Sequence, residues 1–134
     1  AGRPRRAETL DGLLARLPWP GPFALVKVDV QGAELAVLRG AGAVLRDAEV
    51  VSLEVSVAGA LNRGAPSFAE YIAFMDRSGF SLFDIGEQHR FKPMSDGLSR
   101  YHPDGYLVQM DALFVRKGSR FFARVRDIIG SIVA

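Results

Sequence analysis

The stretch Lys27-Val28-Asp29-Val30-Gln31-Gly32-Ala33-Glu34 constrains the fold of this chain more than any other. Phe23-Ala24-Leu25-Val26 starts an apolar run of the kind found in strands buried on both faces, and Lys27 and Asp29 then interrupt it on one face. Burying an ionised group without a partner costs several kcal/mol, so that face must meet a counter-charge, a ligand or water. Gly32 lets the backbone turn sharply, and Glu34 falls in the first turn of the helix that follows, where the helix dipole favours negative charge. Ligands in open α/β sheets bind outside the carboxyl ends of the strands, which is where Asp29 to Glu34 would lie.

The remaining sequence alternates helical and strand periods. Leu10, Leu13, Leu14 and Leu17 have helical spacing behind a Thr9 cap, and Pro18, Pro20, Gly21 and Pro22 stop that helix before a strand at 23–30. A helix from Ala33 turns Leu35 and Leu38 inward and breaks at Gly40 and Gly42, with a further turn through Leu45. Glu49 to Val57 alternates apolar and polar residues as a strand does. Ser67 and Glu70 have capping-box spacing ahead of Phe68, Tyr71, Ile72 and Met75, and Gly79 ends that helix. Strands are predicted at Phe80 to Ile85 and Tyr106 to Arg116, with a long polar loop from Gly86 to Gly105 between them, and a terminal helix at Ser119 to Val133. This order predicts an α/β domain with a parallel sheet and helices on both faces, its last two strands pairing antiparallel.

With 134 residues, 49% of them hydrophobic, residues 1–134 form a single domain with a true core. Seventeen basic residues against 15 acidic ones leave a net charge of +2, too balanced for a nucleic-acid partner. Arg3, Arg5 and Arg6 read as a solvated terminus. There is no cysteine, hence neither a disulfide framework nor a thiolate metal site. No apolar run approaches the length of a membrane span, so the expectation is a soluble, cytoplasmic protein with no membrane partner. The chain opens at Ala1 and reaches a helix at once, which suggests a fragment or a processed product.

Two readings of the charged strand end stand side by side. In one, Lys27 bridges Asp29 and Glu54 in a purely structural network. In the other, Asp29, Gln31 and Glu54 line a pocket in which a carboxylate positions a substrate hydroxyl or takes its proton. Glu34 either caps its helix or joins that site, and Asp111 either caps the edge of the fourth strand or faces the pocket. The carboxylates do not make a convincing Mg²⁺ set, so no metal is expected. Gly40-Ala41-Gly42 follows a helix, not a strand, and is not a nucleotide loop. His89 and His102 lack a Ser or Cys partner; they are solvent-exposed loop residues or belong to a lid carrying a general base. Trp19 among prolines reads as a packing anchor.

Thr9-Leu10-Asp11, then Lys27 through Ala41, then Glu54 and finally Asp111-Ala-Leu-Phe-Val-Arg116 resemble the FkbM family of S-adenosylmethionine-dependent methyltransferases. The resemblance implies a Rossmann-like class I methyltransferase sheet, mostly parallel with an antiparallel last strand, of which this chain is the C-terminal half. The glycine-rich loop and the acidic residue that hold the cofactor in such enzymes would lie upstream. It implies O-methylation of a sugar or secondary-metabolite hydroxyl, with Asp29 and Glu54 as catalytic candidates. Asp29, Gln31 and Gly32 would face S-adenosylmethionine, and Glu34, His89 and His102 the small-molecule acceptor. Without the missing strands, the strand at 23–30 presents an edge open to self-association. The alternative is a non-catalytic α/β module that binds a partner through this edge.

Overall fold

The computed structural model describes residues 7–18, 22–57, 64–91 and 105–133. Within them the chain runs α1 (Leu10–Leu14), β1 (Leu25–Val28), α2 (Glu34–Arg39), α3 (Gly42–Asp47), β2 (Val50–Ser56), α4 (Phe68–Arg77), β3 (Phe80–Phe91), β4 (Tyr106–Arg116) and α5 (Arg120–Val133). The strands form one sheet in the order β1-β2-β4-β3. β1 and β2 are parallel, and β4 inserts antiparallel between β2 and β3. Three of these strands therefore run one way and the last runs against them, as expected from the absence of a helix between β3 and β4.

Alternation assigns the two faces of the sheet. Val51, Leu53 and Val55 of β2 stand opposite Phe114, Ala112 and Met110 of β4, and all six are buried. Leu35 and Leu38 of α2, Val44 and Leu45 of α3, and Tyr71 and Met75 of α4 complete this core, so α2, α3 and α4 share one face. On the other face Lys27 is aligned with Ser52, Ser52 with Leu113 and Glu54 with Asp111, and none of these is fully buried. Among the described residues that face meets a helix only where α5 rests against Phe83. The expected helices on both faces are thus present, with very unequal coverage.

α1, α3 and α4 each start on an identifiable cap. The Thr9 hydroxyl accepts from Gly12 N at 3.1 Å, and Ser67 with Glu70 forms the complete capping box. α3 has no cap of its own; Asp11 of α1 accepts from Ala43 N at 2.8 Å and Val44 N at 3.3 Å instead. Asp11 N donates in turn to Gly40 O at 2.9 Å. A Cβ on Gly40 would fall 3.0 Å from Thr9 Cβ, so this position needs glycine for close approach. Thr9, Asp11 and Gly40 together lock α1 onto the α2–α3 junction.

Part of the loop expected from Gly86 to Gly105 is strand, and residues 92–104 of it lie outside the described residues. β3 continues to Phe91, paired with β4 as far as Tyr106, with register shifts at Leu82/Asp84, Ile85/Gln88 and His89/Arg90. Polar residues on an outer strand need no apolar partner, and β4 is long enough to supply the ladder, so hydrogen bonding overrides the polar composition. The bulges absorb the mismatch that made the segment look irregular. Trp19 and His102 lie outside the described residues.

Candidate functional site

The carboxyl ends of β1 and β2 lie side by side, and the polar groups of the sequence motif converge there. Lys27 Nζ sits 3.2 Å from Asp111 Oδ2, reaching across β2 to β4. In the reading that had Lys27 bridge Asp29 and Glu54, its hydrogen-bonded partner is instead Asp111, which the antiparallel insertion of β4 brings into register with Glu54; Asp29 and Glu54 act on Lys27 through their charge. Asp111 faces this polar cluster and not the bare edge. The hydrogen bond to Asp111 raises the Lys27 pKa, with its charge adding to the effect.

Asp29 and Glu54 are linked through Gln31. Its Nε2 donates to Asp29 Oδ1 at 3.2 Å and also to Glu54 Oε2. The two carboxyl groups interact, and their proton affinities diverge. Glu54 is raised, first by burial and then by Asp29, whereas Asp29 is lowered by hydrogen bonds with Glu54 and Gln31. As the pH falls Glu54 therefore takes up a proton before Asp29, and the exposed Asp29 is the last of the two to lose its charge.

Gln31 pays for its position with an unfavourable backbone. Its φ of 55° lies in the left-handed region, followed by Gly32 at 103°. For a non-glycine residue that conformation costs on the order of 1 kcal/mol and persists only where the surroundings enforce it. Glu34 does the enforcing. It is 1% exposed, and its carboxylate accepts from Val30 N at 3.1 Å, from Gly32 N at 2.9 Å and from the Tyr71 hydroxyl at 2.6 Å. Burial, then the bond to Glu34, raises the Tyr71 pKa, so the phenol remains a donor throughout the neutral range. Glu34 lies beneath the turn, and Gln31 lies above it.

His89 occupies β3, two strands removed from β2, opposite Gln109 of β4. It is exposed, with Nε2 3.7 Å from Glu87 Oε1. Gln109 is also aligned with Ser56 at the end of β2, so the β3–β4 ribbon rises on the same side of the sheet as the carboxyl ends of β1 and β2. Tyr71 is the neighbour that the sequence did not single out for this site, being legible only as a core position, whereas Asp111 takes the pocket-facing of its two readings. Among the described residues no group of His, Asp and Glu is arranged to hold a metal ion.

This strand-turn-helix lies inside a segment, residues 2–82, that matches the methyltransferase FkbM domain. The chain belongs to the FkbM methyltransferase family. The match takes in Thr9 to Asp11, Lys27 to Ala41 and Glu54, and ends within β3, so the Asp111 to Arg116 segment and α5 lie beyond it. No curated protein and no solved structure matches the chain. Within the matched segment Thr9, Asp11 and Gly40 lock α1 onto the α2–α3 junction, and Asp29, Gln31 and Glu54 form the cluster at the strand ends.

Proposed function

We propose that this FkbM chain is the acceptor-side, C-terminal half of a Rossmann-like methyltransferase domain that transfers a methyl group from S-adenosylmethionine to a hydroxyl of a sugar or secondary metabolite in the cytoplasm. The observation that carries the reading is the Asp29-Gln31-Glu54 bridge at the carboxyl ends of two parallel strands. The donor set suits only part of the cofactor. Exposed carboxylates favour a sulfonium cation, whereas among the described residues the strand-to-helix turn after β1 holds a single glycine and a buried Glu34, a poor cradle for a nucleoside. When bound, the cofactor supplies an activated methyl group.

The chain's own residues do the rest. A hydroxyl oxygen that gains a methyl group must lose its proton, and the ionised Asp29 accepts a hydrogen bond from that hydroxyl and takes the proton. Gln31 fixes the rotamers of both carboxyl groups, and Gly32 lets the backbone approach the reacting pair. Glu34 acts from below as a positioning residue, and His89 on the raised ribbon lies within the same side of the sheet as an acceptor contact. Holding two reactants in line is the larger part of such catalysis, so a half-site alone is inactive.

β1 favours a second reading. Among the described residues it pairs on one side only, and Leu25 on it is 57% exposed. Such an edge takes up further strands of a larger domain, a second copy of the chain, or a partner, as a non-catalytic module would. Calorimetry with S-adenosylmethionine and light scattering on the chain separate these. Weak or absent binding by the isolated chain supports the half-domain, and a discrete dimer that a charged residue at Leu25 abolishes supports association through the β1 edge. Tight stoichiometric binding by a monomer overturns the half-domain.

A further inference from the structure

α5 (Arg120–Val133) is an amphipathic helix that the core hardly uses. With about 3.6 residues per turn, Phe121, Ile128 and Ile132 fall along one line, Val125 and Ile129 run beside it, and Phe122 marks one margin. Arg120 and Arg124 border this apolar arc on one side and Arg126 borders it on the other, while Asp127 lies at the back, where Nη2 of Arg126 approaches it to 3.9 Å. Among the described residues only the N-terminal part of this arc is covered, by Phe83. There Phe83, Phe122, Val125, Arg126 and Ile129 line a shallow opening of ≈ 180 Å³, and the rings of Phe83 and Phe121 meet edge-on with centroids 6.5 Å apart. Ile128, Ile129 and Ile132 are 51%, 50% and 76% exposed. From Arg126 onward every residue whose burial is described is exposed, so the last turns stand clear of the sheet.

We infer that α5 is a surface anchor that lies in the interface of a lipid bilayer carrying anionic headgroups. Three arginines against one aspartate give the helix a positive rim, and that rim flanks an aliphatic line on both sides. Long guanidinium side chains reach out to headgroups while Ile128, Ile129 and Ile132 enter the acyl boundary. A protein groove would have to supply acidic groups along both margins of the same apolar slot, whereas an anionic bilayer presents that pattern everywhere. No described helix is long and apolar enough to cross a membrane, and α5 spans only about 21 Å at 1.5 Å per residue. It lies in the interface without crossing. The expectation of no membrane partner rested on the absence of a span, which an interfacial helix does not need. α5 also lies outside the segment matched to the family domain.

Flotation with phosphatidylcholine vesicles, with and without phosphatidylserine, tests this. The chain is expected to partition onto the anionic vesicles about tenfold or more over the neutral ones, the scale of two or three surface arginines, and to detach at high salt. Two variants altered only at exposed positions follow: Ile128→Asp with Ile132→Asp, and Arg124→Gln with Arg126→Gln. Both are expected to keep the parent melting temperature; the first loses vesicle binding and the second loses the preference for anionic lipid. Absence of flotation with phosphatidylserine vesicles overturns the inference, as does unchanged binding by the Ile128→Asp/Ile132→Asp variant. A dimer in light scattering that this variant dissolves would show that a second copy covers α5, which also overturns it.

Discussion

The Tyr71 hydroxyl donates to Glu34 Oε2 at 2.6 Å in the interior, tying α4 to the first turn of α2. Through Glu34 this bond reaches the amides of Val30 and Gly32 and so the left-handed Gln31. Tyr71→Phe removes one donor from a buried carboxylate and is expected to destabilise the chain by about 1–3 kcal/mol in urea unfolding. Glu34→Ala, which orphans two amides and the phenol, should cost more. The amide signals of Val30 and Gly32 should shift in both variants.

The Asp29-Glu54 pair makes stability depend on pH in a defined sense. Glu54 has a raised pKa in the fold, so its contribution is full below the ordinary carboxylate range and is lost as the pH rises through the raised value. Asp29 has a lowered pKa, so its contribution is present above its unfolded value and is lost as the pH falls through the lowered one. Glu54→Gln keeps an acceptor for Gln31 and removes a charge facing Asp29 and Asp111. Melting temperatures from about pH 4 to about pH 8 should show the variant gaining on the parent as the pH rises.

Arg116 closes the opposite end of the sheet. Its Nε donates to Ala48 O at 2.7 Å, its Nη2 to Leu45 O, and its guanidinium lies 4.7 Å from the Phe80 ring centroid. A lysine cannot make this fork or stack in the same way. Arg116→Lys should therefore cost about 2 kcal/mol in thermal or urea unfolding. A loss well below 1 kcal/mol would show these contacts to be replaceable by water.

Gly40→Ala tests the α1 lock. The new Cβ meets Thr9 Cβ at 3.0 Å and its Cα at 3.3 Å, and backbone cannot give way as a flexible side chain would. A cost of about 1–3 kcal/mol is expected, with Thr9→Ser relieving part of it in the double variant.

What the sequence revealed depended on how local the physics was. The capping box at Ser67 and Glu70, the bounds of β4 and the inward Leu35 and Leu38 follow from spacing within one element, and the structure reproduces them. β3 was cut short at Ile85 because its outer half is held by β4, not by its own pattern. The Lys27–Asp111 pair joins residues 84 positions apart, and the cap that Asp11 gives α3 crosses from another helix. Both depend on the insertion of β4 and the docking of α1, which no local period encodes. Asp29, Gln31 and Glu54 were legible as a group because charged residues ending an apolar strand announce themselves. The buried role of Glu34 was not, since a capping residue and a strut beneath a turn have the same sequence signature.

The most direct measurement is methyl transfer from labelled S-adenosylmethionine to hydroxyl acceptors by the full-length protein, comparing parent with Asp29→Asn. The exposed position of Asp29 should leave the melting temperature nearly unchanged. The expected result is a fall in kcat of about 100-fold or more, the scale of a lost general base. An Asp29→Asn variant that transfers methyl groups at the parent rate would contradict the assignment of this strand end as the acceptor side of the site.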